Sequence, residues 1–175
     1  MRQAVLAATV SLLSSEGLSG TTVSAIARAA GVHETSLYRR WKTRENLIYD
    51  ALATHADEAL PVPNTGDVRE DLALFFGSVA SFLATAEGSA LLRLGSDAAM
   101  EEGRPAYWEA RLRRGEDMVR RGIHRGELAA DVDPHLLVEA LAGPLFARVL
   151  LTGEQVEDDL ARRLVDTALD GARHR

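Results

Sequence analysis

Apolar residues recur at three- and four-residue spacing along almost the whole chain, and no stretch shows the strict alternation of a strand. The first run, Val5, Leu6, Leu12 and Leu13, predicts a helix over residues 2–15. A shorter one follows, with Val23, Ile26, Ala27 and Ala30 on one face. Thr22 stands before it as a side-chain cap, and Gly31 ends it by accepting a left-handed backbone. Val32 can fill the corner before a third helix over residues 34–41. There Leu37 and Trp41 point inward, leaving Glu34, Thr35, Ser36, Tyr38, Arg39 and Arg40 outside. A fourth helix starts at Thr43, with the stripe Leu47, Ile48, Ala51 and Leu52.

PVPNTGD, residues 61–67, is dense in turn formers and ends that helix. Beyond it the periodicity predicts helices over 68–85, from Gly88 to near Met100, and up to Arg125 after a break at 101–105. Trp108, Leu112, Val119 and Ile123 form the inner face of the last of these. Asp133 followed by Pro134 reads as an N-cap and a first helical residue. The eighth helix carries Leu136, Leu137, Ala140, Leu141, Leu145 and Val149, is expected to kink at Pro144, and ends at Thr152 and Gly153. The ninth, over 156–172, carries Leu160, Leu164, Ala168 and Leu169. The chain therefore reads as all-α with about nine helices. It divides into an N-terminal three-helix helix-turn-helix head (1–46), a linking helix and connector (47–66), and a C-terminal helical body (67–175).

Two short helices joined at Gly31, the second polar and arginine-rich, suit a DNA groove. The second helix of such a pair lies in the major groove with its N-terminal part nearest the base edges. Arg39 and Arg40 can pair with guanine or phosphate, and Glu34 can accept from a cytosine amino group. Thr35, Ser36 and Tyr38 offer hydroxyls to bases or phosphates. An ordinary helical hairpin with a solvated polar face fits the same pattern, and spacing alone leaves both open.

Residues 5–60 resemble the DNA-binding domain of the tetracycline-repressor (TetR) family of bacterial transcriptional regulators. EGLSGTTVSAIARAAGV is similar to that family's second helix and turn, ETSLYRRW to its recognition helix, and KTRENLIYDAL to the cap and start of its fourth helix. The resemblance implies a homodimer on a double-stranded DNA operator, released by a small-molecule effector. It also implies base contacts at Glu34, Thr35 and Arg40, phosphate contacts at Tyr38 and Arg44, and backbone contact at Thr22 with help from Ser24. Two departures stand out: His33 occupies a place where the family often has serine, and Arg2 alone stands for the family's basic tail.

Composition sharpens this reading. The net charge is −6, but residues 1–50 hold six Lys/Arg against four Asp/Glu, and residues 51–175 hold fourteen against twenty-two. The head is mildly basic and the body acidic, and screening within roughly 8–10 Å makes the local charge the one a phosphate meets. With no cysteine there is no disulfide and no cysteine-based zinc site. No stretch reads as long and apolar enough to span a membrane, so a soluble cytoplasmic protein is expected.

In the body, Phe75, Phe82, Met100, Trp108, Met118 and Phe146 are candidate pocket residues, although apolar residues at helical spacing serve equally as core. The resemblance implies that the last two helices of the body pair with a partner's across a twofold axis, which makes Leu141, Leu145, Val149, Leu160, Leu164 and Ala168 on their apolar stripes candidate dimer contacts, although such stripes can also cover the protomer's own core. The five histidines show no compact ligand spacing, and neither a nucleophile elbow nor a phosphate-cradling glycine loop is present. No catalytic role, metal or cofactor is therefore expected. A helical ligand-binding or interaction module without DNA regulation is the alternative, and the Tyr38–Trp41 run separates the two readings, because only a DNA reader needs it.

Overall fold

Nine α-helices, one π-helical turn and no strand form among the described residues of this computed structural model, which are 1–96, 104–157 and 159–173. The helices are α1 (Arg2–Gly20), α2 (Val23–Ala30), α3 (Glu34–Trp41), α4 (Arg44–Ala59), α5 (Val68–Leu83), α6 (Ala86–Ser96), α7 (Arg104–His124), α8 (Pro134–Ala147) and α9 (Leu160–Arg173). The π-helical turn, Arg148–Thr152, follows α8 directly. The helices fall into two compact units.

The first unit joins α1–α4 to α6. Its centre is an apolar cluster from all of α1 to α4, including Val5, Leu6, Ile26, Leu37, Trp41 and Leu47. The stripe expected on α4 is buried in full. Helix α1 runs past the expected end at Ser15, with Gly17 at φ 69° interrupting its helical backbone. Thr21 holds the extra turn by donating its hydroxyl to Gly17 O at 2.7 Å. Helix α6 was expected in the body, but its buried Ala90, Leu91 and Leu92 need apolar cover, and α6 packs on α1 and α4. Ser14 on α1 also donates to the Glu87 carboxylate. The divisions drawn from sequence at 46 and 67 therefore do not coincide with these units.

The second unit packs α5 against α7 and α9, and α8 against α7 and α9. Leu72, Met118, Val119, Leu141, Leu145, Val165 and Leu169 lie at or near zero exposure there. The 61–67 connector is fastened by polar groups. Asp71, fully buried, accepts from the Thr65 backbone N–H at 2.7 Å and the Thr65 hydroxyl at 2.9 Å. Arg121 donates to Pro63 O at 2.7 Å while facing the other Asp71 oxygen at 3.6 Å.

Three expectations need correction. Helix α8 continues through Pro144, and the departure from α geometry falls at Arg148–Thr152, where the Gly153 N–H closes a five-residue step onto Arg148 O at 2.8 Å. Helix α9 begins at Leu160, and its inner face is Leu160, Ala161, Val165 and Leu169. The run Pro134–Thr152 is, by length and composition, apolar enough to cross a membrane, because the π-helical turn prolongs α8; only 22% of it is buried.

Candidate nucleic-acid interface

The first unit shows how this sequence builds a reading head. The Thr22 side chain accepts from the Ala25 N–H at 3.1 Å and starts α2. Gly31 ends α2 at φ 65°, ψ 36°, a left-handed conformation that costs glycine little. The Val32 N–H then reaches back to Ala27 O at 3.0 Å, closing the turn. His33 occupies the N-cap of α3 without a side-chain capping bond.

Leu37 and Trp41 anchor α3 in the cluster at 2% and 7% exposure. Their burial turns Glu34, Thr35, Tyr38, Arg39 and Arg40 to the outside, with Ser36 half-buried. The Arg40 guanidinium lies 5.3 Å from the Trp41 ring, a cation–π distance, and the residue is exposed. Thr22 and Ser24 are exposed at the start of α2.

Arg44 stands apart from the other candidates. Its Nε–H donates to Thr21 O at 2.8 Å, one terminal nitrogen donates to Leu18 O, and the other meets Glu45 at 3.3 Å. The residue proposed for a phosphate is thus turned into its own fold, because a guanidinium beside the open carbonyls ending α1 finds acceptors there. Arg2 is similarly engaged, 2.7 Å from Asp50 on α4. Asp50 also accepts from the Trp41 indole N–H at 2.8 Å. Sequence reasoning missed Asp50, whose signal was one carboxylate on a helix otherwise read for its apolar stripe. It also missed Lys42, exposed at the end of α3.

In the second unit, Phe75, Phe82 and Met118 are buried at 9% exposure or less, so they fill core. Trp108 and Phe146 are half-buried and meet edge to face at 5.7 Å, bringing two pocket candidates together. Met100 lies outside the described residues. Of the dimer candidates, Leu141, Leu145 and Leu160 are buried in their own protomer's core and cannot also cover a partner; Val149, Leu164 and Ala168 are half-buried. A groove of about 430 Å³, not anticipated from sequence, lies along α1 and α4 and is lined by Leu6, Val10, Ala51 and His55 among others.

A capped two-helix reader anchored on a third and fourth helix, with a separate helical unit behind it in sequence, defines a helix-turn-helix transcriptional regulator. Comparisons with known proteins narrow the class. Residues 5–51 match the family described as bacterial regulatory proteins, tetR family, and residues 62–168 match the tetracyclin repressor-like C-terminal domain. The chain belongs to the TetR family. It is 34% identical to the HTH-type transcriptional regulator AqdR of Rhodococcus erythropolis, over 97% of this chain and 84% of that one. It is 31% identical to the uncharacterized regulator YdeS of Bacillus subtilis (strain 168), over 97% and 88%. Among solved structures, the TetR family transcription regulator SCO0332 superposes with a TM-score of 0.83 at 30% identity, covering 97% of each chain. FadR of Bacillus subtilis, solved with stearoyl-CoA, shares the fold with a TM-score of 0.74 at 17% identity, over 98% and 99%.

Proposed function

We propose that the chain is a cytoplasmic homodimeric repressor that docks two copies of α3 in successive major grooves of a near-palindromic operator and leaves when a small molecule occupies its body. The observation that carries the DNA part is the division of α3. Leu37 and Trp41 are sunk in the core, while Glu34, Thr35, Tyr38, Arg39 and Arg40 all remain outside. Glu34, Thr35, Ser36, Arg39 and Arg40 are the base-edge candidates. Tyr38, Thr22 and Ser24 are the backbone candidates.

The dimer is supported by α8. Leu136 is 62% exposed, and Ala140 and Gly143 follow it on the outer side of the helix. A Cβ added at Gly143 meets nothing within 4 Å, so a partner helix has room to approach closely. This face takes the place of Leu141 and Leu145 in the reading from sequence. A twofold axis sets the heads roughly 34–36 Å apart, one helical turn of DNA.

Effector binding is supported by the family and by the half-buried Trp108–Phe146 pair. An effector releases DNA only if it binds the non-docking state more tightly. Because a neighbour of this fold was solved with stearoyl-CoA, a long-chain acyl-CoA belongs among the first effectors tried.

Selection of bound duplexes from a random pool at fixed salt tests the reading. Enrichment of a palindrome supports it and supplies the operator for effector trials. Absence of any enriched sequence at low salt removes it in favour of a helical ligand-binding module.

A further inference from the structure

The α3–α4 junction holds two cations two residues apart, and the structure treats them in opposite ways. Arg44 is occupied on three sides, by Thr21 O, Leu18 O and Glu45. Lys42 is exposed, and no described side chain bonds its ammonium. Its backbone is unusual: φ 66°, ψ −51°, the only positive φ at a non-glycine residue among those described.

That conformation closes a three-residue turn in which the Thr43 N–H reaches Trp41 O at 2.8 Å, while the Lys42 N–H still reaches Tyr38 O at 3.0 Å. A γ-turn of this hand is rare and strained for a residue with a Cβ. Glycine takes it without the steric cost, yet the position carries a lysine. Strain of this kind persists where the surrounding structure over-determines it, and it collects at binding sites. Here the surroundings do so: the Trp41 carbonyl also accepts from the Asn46 side chain at 3.1 Å, and the Thr43 hydroxyl caps α4 by accepting from the Asn46 N–H at 3.1 Å.

We infer that Lys42, held out by this strained turn at the end of the reading helix, grips a DNA phosphate, and that Arg44 is a positioning residue that clamps the α1–α2 corner. This rests on the DNA-binding reading above. Arg44 acts through Thr21 and Leu18: by fixing the two carbonyls that precede α2, it sets where Thr22 and Ser24 stand at the start of that helix. A planar guanidinium spans the two carbonyls in a way an ammonium does not.

Each phosphate neutralised adds about 0.9 to the slope of log affinity against log salt. Binding of the full chain to a labelled duplex of random sequence, measured across a salt series, reads that slope. K42Q is expected to lower it by about 0.9 per protomer, and R44Q to weaken binding with the wild-type slope intact. R44K is expected to recover little of what R44Q loses. K42G is expected to melt no lower than wild type while showing the shallow slope of K42Q, which separates the charge from the turn.

A wild-type slope in K42Q overturns the inference, as does a slope loss in R44Q that R44K restores. Should R44Q fail to fold, the K42Q slope decides. A wild type that binds no duplex even at low salt removes the DNA reading itself and this inference with it, an outcome distinct from binding with the slopes reversed.

Discussion

Asp50 Oδ2 accepts the Trp41 indole N–H at 2.8 Å, joining the last residue of the reading helix to the middle of α4. The other Asp50 oxygen takes Arg2 at 2.7 Å. One carboxylate thus ties the start of α1 and the end of α3 to the same point. The indole bond is the stronger of the two, since an exposed ion pair is worth only about 0–1 kcal/mol. Leaving a partly buried N–H without its acceptor costs about 1–3 kcal/mol. D50A is therefore expected to lose about 1–3 kcal/mol in urea unfolding, and D50N less, because its amide oxygen still accepts. W41F and D50A should combine to less than their sum. Simple additivity would show that the bond contributes nothing.

Much of the reading head was legible in the sequence because its signals are local. Thr22, Gly31, Leu37 and Trp41 each act within one helical turn of their own position, and a cap, a left-handed stop and a buried pair each leave a residue-type signature. The fate of Arg44 was not legible. Whether a guanidinium faces solvent or a carbonyl depends on where the end of α1 lies, and that end moved from Ser15 to Gly20. The body shows the same limit. Periodicity says that α8 has an apolar stripe, but a helix apolar on more than one side does not say which side its own protomer covers. Leu141 and Leu145 went inward, leaving Leu136 and Ala140 outside. The location of α6 in the first unit was set by packing between segments distant in sequence, which no local spacing records.

At Gly122, α7 packs tightly against Val68 at the start of α5. A Cβ there would lie 2.7 Å from Val68 Cβ and Cγ2, and Val68 is 1% exposed. Alanine in a helix gains about 1 kcal/mol over glycine, while overpacking a core costs about 1–3 kcal/mol. Crowding against a stiff β-branched side chain wins, so G122A is expected to destabilise. Adding V68A should recover part of the loss by vacating the space. A G122A protein that melts higher than wild type would show that the two helices move apart without cost.

The N-terminus of α8 carries a pH-dependent link. His135 Nδ1 lies 2.9 Å from Glu116 on α7, and its Nε2 lies 3.3 Å from Glu139. The hydrogen bond to Glu116 raises the His135 pKa above the ordinary imidazole value of 6.5, with Glu139 and Asp133 adding to it. Glu116 is held below the usual carboxylate range, chiefly by His135 and also by Arg120. A raised folded pKa means that the protonated histidine stabilises the fold. That contribution is complete below the unfolded value of 6.5 and fades as pH rises through the folded one. The melting-temperature gap between wild type and H135Q should therefore be widest below pH 6.5 and close as pH rises through the raised folded pKa. A gap independent of pH would assign the loss to packing alone.

The exposed side of α8 gives the sharpest test of assembly. Leu136, Ala140 and Gly143 fall on one outer face, and Leu151 beyond the helix is 82% exposed. Water gains nothing from this apolar surface, and burying it against a second copy returns about 25 cal/mol per Å². Small residues at Ala140 and Gly143 let two helices approach closely, so a long charged side chain there removes both the contact and the room. A140R is expected to convert a dimer to a monomer in sedimentation, with the protomer still folded by circular dichroism, because Ala140 makes no part of its own core. Operator affinity should fall steeply with it, since each head then binds a half-site alone and loses the gain from a linked partner. L145R would be uninformative, because Leu145 is 0% exposed and its replacement unfolds the protomer first. A dimeric A140R with wild-type operator affinity would move the interface off this face.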